Sequence, residues 1–320
     1  MKILVELPTW LGDAVMATPA LENLFGAYPD AGITVVGSYV STEALKAHPR
    51  IGRTVVDKTK STGFRPLNIY RLAKELGAHD IAVSFRSHLY SKLLLTLTGS
   101  SKKYRYKKTI DYRPSTIDHP HQVQKYQSFI NGVTGRNDKP GPLKLYWPKR
   151  DFERPTLGIN PGATYGSAKR WYPEKFAEVA ADLSDRFDIV IFGGPGETDI
   201  AGDIERMVRQ KGVENVTNLA GKTTIPELCG LIGGLDLFIT GDSGPMHIAA
   251  AYRVPTVAIF GPTKHKETSQ WENPKSVIVR RDLECAPCMK RTCPIKTHKC
   301  MKEISAEEVS QAARRLLQKS

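Results

Sequence analysis

The stretch LDLFITGDSGPMH, residues 235–247, is a short apolar run that ends in a glycine-flanked polar turn. Such a run, bounded by turn residues, fits a strand buried on both faces, as parallel sheets require. Pro245 suits the first position of a helix, so the spacing predicts a helix with His247 on its first turn. Free N–H groups at a helix start, a hydroxyl, two glycines and the positive end of the helix dipole together suit a phosphate. Asp242 beside them can accept hydrogen bonds from sugar hydroxyls, so a nucleotide-sugar diphosphate fits the segment. An ordinary strand–turn–helix connection capped by Asp242 or Ser243 fits it as well.

Working outward, short apolar runs alternate with helical patterns along the chain, which points to an α/β protein with parallel sheets covered by helices. Strand-like runs fall at residues 3–7, 33–37, 54–56 and 81–85, then at 157–160, 189–192, 216–219, 235–240, 256–260 and 277–279. Helical patterns lie at 14–27, 69–76, 173–184, 200–210, 225–232 and 245–251. The segment YWPKRDFERP, residues 146–155, carries two prolines and a charge run, so it separates a domain of residues 1–150 from one of 151–320. Ser305-Ala306-Glu307-Glu308 reads as a capping box opening a last helix, which is expected to pack back on the first domain. Two open α/β domains leave a cleft facing the carboxyl ends of both sheets.

The charge is divided unevenly. Residues 1–150 hold 23 Lys and Arg against 11 Asp and Glu; residues 151–320 hold 23 against 22. A positive field over the first half attracts nucleic acid, an anionic membrane or a phosphorylated substrate. No run approaches the ~18 apolar residues of a membrane span, and the N-terminus turns polar too early for a signal peptide. A cytoplasmic protein with no transmembrane segment is expected. Five cysteines in such a chain argue against a disulfide framework.

Several segments carry chemistry. Asp13 follows Trp10-Leu11-Gly12 at the exit of the first strand. It reads either as a helix cap or as a general base, whose ionised form the helix dipole favours. The loop after the strand at 157–160 is rich in Gly, Ser and Thr and ends in Lys169-Arg170; it lacks the Gly-Lys-Ser/Thr ending of a Walker loop. Lys169 suits a diphosphate leaving group, and a solvated basic pair is the other reading. Glu197, after Gly193-Gly194-Pro195-Gly196, suits ribose hydroxyls or a helix dipole. No Asp-x-Asp pair occurs, so the usual carboxylates for chelating Mg²⁺ on a diphosphate are missing and a metal-independent reaction is expected. Cys285, Cys288, Cys293 and Cys300 have spacing that resembles a zinc knuckle; zinc held there would be structural, and four reduced thiols are the alternative. The basic-aromatic run at 101–108 reads as an RNA-binding strand, as an edge strand or loop that docks a phosphorylated acceptor helped by Arg53, Lys58, Lys60, Arg65, Arg86 and Arg113, or as a solvated face.

Three segments, PTWLGDAVMATPAL (8–21), NPGATYGSAKRWYPEKFA (160–177) and GDSGPMHIAAAYRVPTVAIFGPT (241–263), resemble glycosyltransferase family 9, the heptosyltransferases that build the inner core of bacterial lipopolysaccharide. The likeness runs from the first strand to the last helix and is greatest to the branch that adds the second heptose. It implies a GT-B fold, two Rossmann-like domains with the acceptor bound by the first and ADP-heptose by the second. It implies inverting transfer of L-glycero-D-manno-heptose to the first heptose of a Kdo2-lipid A core. By resemblance Asp13 is the catalytic base. Thr164 and Lys169 match donor-phosphate contacts, Glu197 holds the adenosine portion, and Asp242, Ser243, Gly244 and His247 surround the diphosphate and donor sugar. Tyr165 receives no role. No cofactor is required, no nucleic acid is a partner, and the acceptor is met at the inner face of the inner membrane by the basic first domain. Transfer of the first heptose to Kdo, another GT-B nucleotide-sugar enzyme and, more distantly, an RNA-binding protein are the alternatives.

Overall fold

A computed structural model describes residues 1–61, 63–107 and 120–318. The chain divides into two compact units, Met1–Tyr146 and Trp147–Ser320. In the first, β1 (Lys2–Glu6), β2 (Gly32–Gly37), β3 (Ile51–Val56), β4 (Ile81–Ser84) and β5 (Lys102–Arg105) form one parallel sheet in the order β3-β2-β1-β4-β5. In the second, β6 (Thr156–Asn160), β7 (Asp188–Ile191), β8 (Val216–Asn218), β9 (Leu237–Gly241), β10 (Thr256–Phe260) and β11 (Ser276–Arg280) form a parallel sheet in the order β11-β10-β9-β6-β7-β8. Each unit's first strand is internal, and strand order reverses beside it, between β1 and β4 and between β6 and β9. Doubly wound sheets bind ligands outside the carboxyl ends of the strands at that reversal.

The internal strands β6, β9 and β10 are buried along their whole length, as two layers of helix over a parallel sheet demand. Gly158 in β6 has no room for a side chain: a Cβ there would collide with Leu235 and Phe238. The core of the second unit includes the last helix, Ala306–Gln318. Its Val309, Ala313 and Leu316 pack with Phe176 and Val179 of the helix Pro173–Leu183. The apolar stripe of this helix is thus buried in the second unit's own core. Its capping box is present, with Glu308 N–H donating to Ser305 Oγ (3.2 Å) and Ser305 N–H to Glu308 Oε2 (2.9 Å).

One local expectation changes, and one open reading is decided. The helix expected over 14–27 is two helices, Leu11–Met16 and Thr18–Ala27, because Pro19 has no N–H to continue the ladder. Part of the basic run at 101–108 is the edge strand β5, paired with β4, which is one of its readings. No helix among the described residues is long and apolar enough to cross a membrane.

In the first unit Glu22 accepts hydrogen bonds from His48 Nε2 (2.9 Å) and Tyr146 Oη (2.7 Å). Burial alone would raise its pKa, but those bonds, with the charges of His48 and Lys144, hold it down at about 2 against an ordinary 4.5. A depressed acid stabilises the fold above its unfolded pKa and loses that contribution as pH falls from about 4.5 toward 2. Urea denaturation at successive pH values is therefore expected to show stability falling over that window. Glu22→Gln should flatten the fall by on the order of 1 kcal/mol, the half-buried setting screening the rest.

Candidate active site

At the carboxyl edge of the second sheet three loops meet. Asn160, the last residue of β6, donates from Nδ2 to Ser243 Oγ (3.2 Å) and Gly162 O (3.3 Å), which ties the β6 loop to the turn after β9. Ser243 precedes the helix Gly244–Ala251 as its N-cap residue, yet its side chain caps no backbone N–H; the hydroxyl is engaged by Asn160 instead. The helix start, with Pro245 in its first turn, so keeps its N–H groups free of a side-chain cap. His247 is buried on this helix.

Asp242 anchors the site. Its Oδ2 accepts from Thr263 Oγ1 (2.6 Å), on the loop after β10, and lies 2.6 Å from Lys169 Nζ. Lys169 also donates to Asp242 O (3.2 Å). An ammonium has three N–H donors; Asp242 takes two and leaves one. The Tyr165 ring lies 4.7 Å from the same nitrogen. Glu197 closes its own turn by accepting Gly194 N–H at Oε2 (2.8 Å), and its carboxylate rests against Gly162, where a Cβ would collide with it. Thr164 is exposed and its hydroxyl makes no hydrogen bond among the described residues. Lys169, Asp242, Ser243 and Glu197 are therefore on the loops of one sheet edge, with Gly244 and His247 on the helix that starts there. Asn160 and Thr263 join them without any sequence signal beyond their place at strand ends.

A segment after β11 holds these loops from behind. Ala168 N–H donates to Arg291 O (3.0 Å), Tyr165 Oη to Met289 O (2.8 Å), and Met289 N–H to Pro262 O (2.8 Å). His298 bridges Tyr172 Oη (3.1 Å, from Nδ1) and Ala168 O (3.0 Å, from Nε2). Tyr165 thus acquires a place that the sequence did not give it. The cysteines sit in this segment. Cys300 is buried, and burial first, then the nearby charges of Cys285, Cys288 and Cys293, push its thiol up to about 11. Cys285 is exposed, and Cys293 Sγ accepts the His298 N–H (3.4 Å). The four are neighbours, yet among the described residues no three His, Cys, Asp or Glu are grouped to hold a metal ion. The four thiols lie close enough for Cys285, Cys288 and Cys293 to act on Cys300.

In the first unit Asp13 lies in the first turn of the helix Leu11–Met16, whose N-cap is Trp10, so it is not itself the cap. Tyr126 Oη is 3.5 Å from Asp13 Oδ1. Burial, and after it the Asp13 charge, raise the Tyr126 phenol well above its ordinary value; Tyr106 is raised by burial and by the same charge. Both rings therefore stay protonated beside the carboxylate. At the ends of β1, β3 and β4, Arg86 Nη1 pairs with Glu6 Oε1 (3.3 Å) and Asp57 Oδ2 (3.1 Å), and its Nε donates to Leu7 O (2.7 Å). Arg86 is buried, and its Nη2 has no hydrogen-bond partner among the described residues. It lines a cavity with Lys60, Arg65, His88 and Tyr90. Arg53 instead pairs with exposed Glu75, and Lys108 and Arg113 lie outside the described residues.

Two parallel doubly wound units, one with a polar, cation-bearing edge next to an uncapped helix start, define a glycosyltransferase of the GT-B class. The solved structure of E. coli ADP-heptose lps heptosyltransferase II matches with a TM-score of 0.79 at 25% identity, covering 100% of this chain and 99% of that one. Lipooligosaccharide heptosyltransferase 2 of Campylobacter jejuni is 42% identical over 100% of this chain and 99% of its own. Lipopolysaccharide heptosyltransferase 2 of Salmonella typhimurium is 30% identical over 87% and 88%. A model of glycosyltransferase family 9 (heptosyltransferase) matches residues 69–299. The chain belongs to glycosyltransferase family 9, the heptosyltransferases.

Thr263→Val keeps the shape of the side chain but leaves the buried Asp242 carboxylate one donor short. It is expected to cost about 1–3 kcal/mol of the second unit's stability in chemical denaturation. An unchanged midpoint would show that Lys169 alone satisfies Asp242.

Proposed function

We propose that this chain moves L-glycero-D-manno-heptose from ADP-heptose to the first heptose of the lipopolysaccharide inner core, with inversion and without a metal ion. Donor binding falls to the second unit and acceptor binding to the first. The work takes place at the cytoplasmic face of the inner membrane. The observation that carries the donor half is Lys169, held on Asp242 with one N–H to spare beside the uncapped start of Gly244–Ala251. A diphosphate needs such a fixed cation and free N–H groups when no carboxylate pair is present to bring Mg²⁺.

In this reading Asp13 takes the proton of the acceptor hydroxyl. The oxygen attacks the anomeric carbon from the side opposite the diphosphate, and the bond from that carbon to the phosphate oxygen breaks. ADP departs with the electron pair, its growing charge met by Lys169 and the helix N–H groups. A single displacement inverts the configuration. Asp13 is suited to the task because the helix dipole favours its carboxylate and the neighbouring tyrosines hold on to their protons. Glu197, beside Gly162, is read as the contact to the adenosine portion, with Thr164 and His247 completing the donor set. The cavity with Arg86 Nη2, Arg65 and Lys60 supports an acceptor that carries phosphates or carboxylates.

Transfer from ADP-heptose to a heptosyl-Kdo2 acceptor tests the reading. Asp13→Ala should lower kcat by more than about a hundredfold with the donor KM kept. Lys169→Ala should raise the donor KM as well as slow turnover. An Asp13→Ala enzyme with wild-type turnover would sink the assignment of the base. Activity is expected to persist in EDTA; loss in EDTA with rescue by Mg²⁺ would overturn the metal-independent route.

A further inference from the structure

Twelve large apolar side chains are exposed among the described residues, and six of them, Phe64, Leu67, Tyr70, Leu89, Tyr90 and Leu97, cluster within 34 residues. Phe64 precedes the helix Arg65–Leu76, and the rest stand on that helix or on Leu89–Leu97, which packs against it. Phe64 is 72% exposed and Leu89 74%. These helices bury Ile69, Leu72, Leu94 and Leu95 in the first unit's core, so the outer face is apolar in addition to the face that folding requires.

Positive charge predominates in the sequence that carries this face. Between residues 58 and 107 there are eleven Lys and Arg against two carboxylates, Glu75 and Asp80. The Arg65 guanidinium stacks on the Tyr90 ring at 3.8 Å, and Lys74 Nζ lies 5.6 Å from the Tyr70 ring. Arg71 and Lys92 are exposed on the same two helices. Apolar side chains flanked by cations whose stems lie along them match the boundary between lipid headgroups and acyl chains. A protein interface of this composition would carry both signs on its rim to set register.

We propose that this face of the first unit docks on an anionic lipid bilayer, with Phe64, Leu67, Leu89 and Leu97 entering the headgroup region and Lys74, Arg71 and Lys92 meeting lipid phosphates. The proposal rests on the reading above that the acceptor is lipid-borne, and it gives that reading a direction. Arg65 and Tyr90 belong both to this face and to the cavity of Arg86. A headgroup rising from the bilayer beside the patch meets the cavity's cations without leaving the membrane.

The test is co-sedimentation of the full chain with vesicles of phosphatidylcholine alone or with about a third phosphatidylglycerol. Binding is expected to the anionic vesicles, falling at least tenfold between 50 mM and 500 mM salt and at least tenfold again in Phe64→Ser/Leu89→Ser. Both side chains are mostly exposed, and an unchanged thermal midpoint verifies the fold of the variant. Its turnover of a soluble, deacylated acceptor should equal that of wild type, while turnover of the same acceptor embedded in anionic vesicles drops. No sedimentation, sedimentation indifferent to lipid charge, or a patch that instead joins two copies of the chain in light scattering would overturn the proposal. Failure of heptose transfer by a wild type that still binds vesicles would overturn the functional reading and leave the docking face standing.

Discussion

A cation held against a buried carboxylate at the point where strand order reverses is the constraint on which both units are built. In the second it is Lys169 on Asp242, beside β6 and β9; in the first it is Arg86 on Glu6 and Asp57, beside β1 and β4. Such pairs add little net stability, since desolvation offsets much of the attraction, but removing one partner is costly. What they provide is a fixed charge at a sheet edge. In both cases the pairing leaves a donor over: the third N–H of Lys169, and Nη2 of Arg86. A ligand anion can be bound there without first dismantling the pair that holds the cation in place.

Around these anchors the backbone is arranged to stay open. Gly162 gives its space to the Glu197 carboxylate, and Ser243 turns its hydroxyl to Asn160 and leaves the helix start uncapped. Burial at the edge is shared differently in the first unit. There Ser84 and Ser91 donate to Glu6, and burial still raises that carboxyl against the pull of Arg86 and both hydroxyls. Asp57 goes the other way: Thr59 and Arg86 outweigh its burial and hold it low. Arg86 thus sits between one carboxyl of raised pKa and one of lowered pKa, and the second is the firmer counter-charge.

The alternation of strands and helices was legible because parallel sheets write themselves as short apolar runs, and ten of the eleven strands among the described residues lie on such runs. β5, Lys102–Arg105, was legible only as one of several readings of the basic-aromatic run, because an edge strand needs little apolar character. The loops bearing Lys169, Glu197 and Asp242 were legible from glycines and prolines at strand exits. Their partners were not. Thr263 meets Asp242 across 21 residues and Arg86 meets Leu7 across 79, and only strand order brings them together.

The bonds from residues 289–298 to Ala168, Tyr165 and Pro262 give the second unit an unusual seam. Its sheet is complete at Arg280, yet two of the loops at its edge are fastened by chain that comes after the last strand. A recombinant chimera that exchanged this unit between relatives at the end of the sheet would carry over the framework and lose its fittings. The natural unit of exchange, and of joint inheritance, runs on through Ile304, whose carbonyl accepts the Trp171 indole N–H (3.2 Å). Loop and fastener are therefore expected to vary together between relatives, even where the strands between them do not.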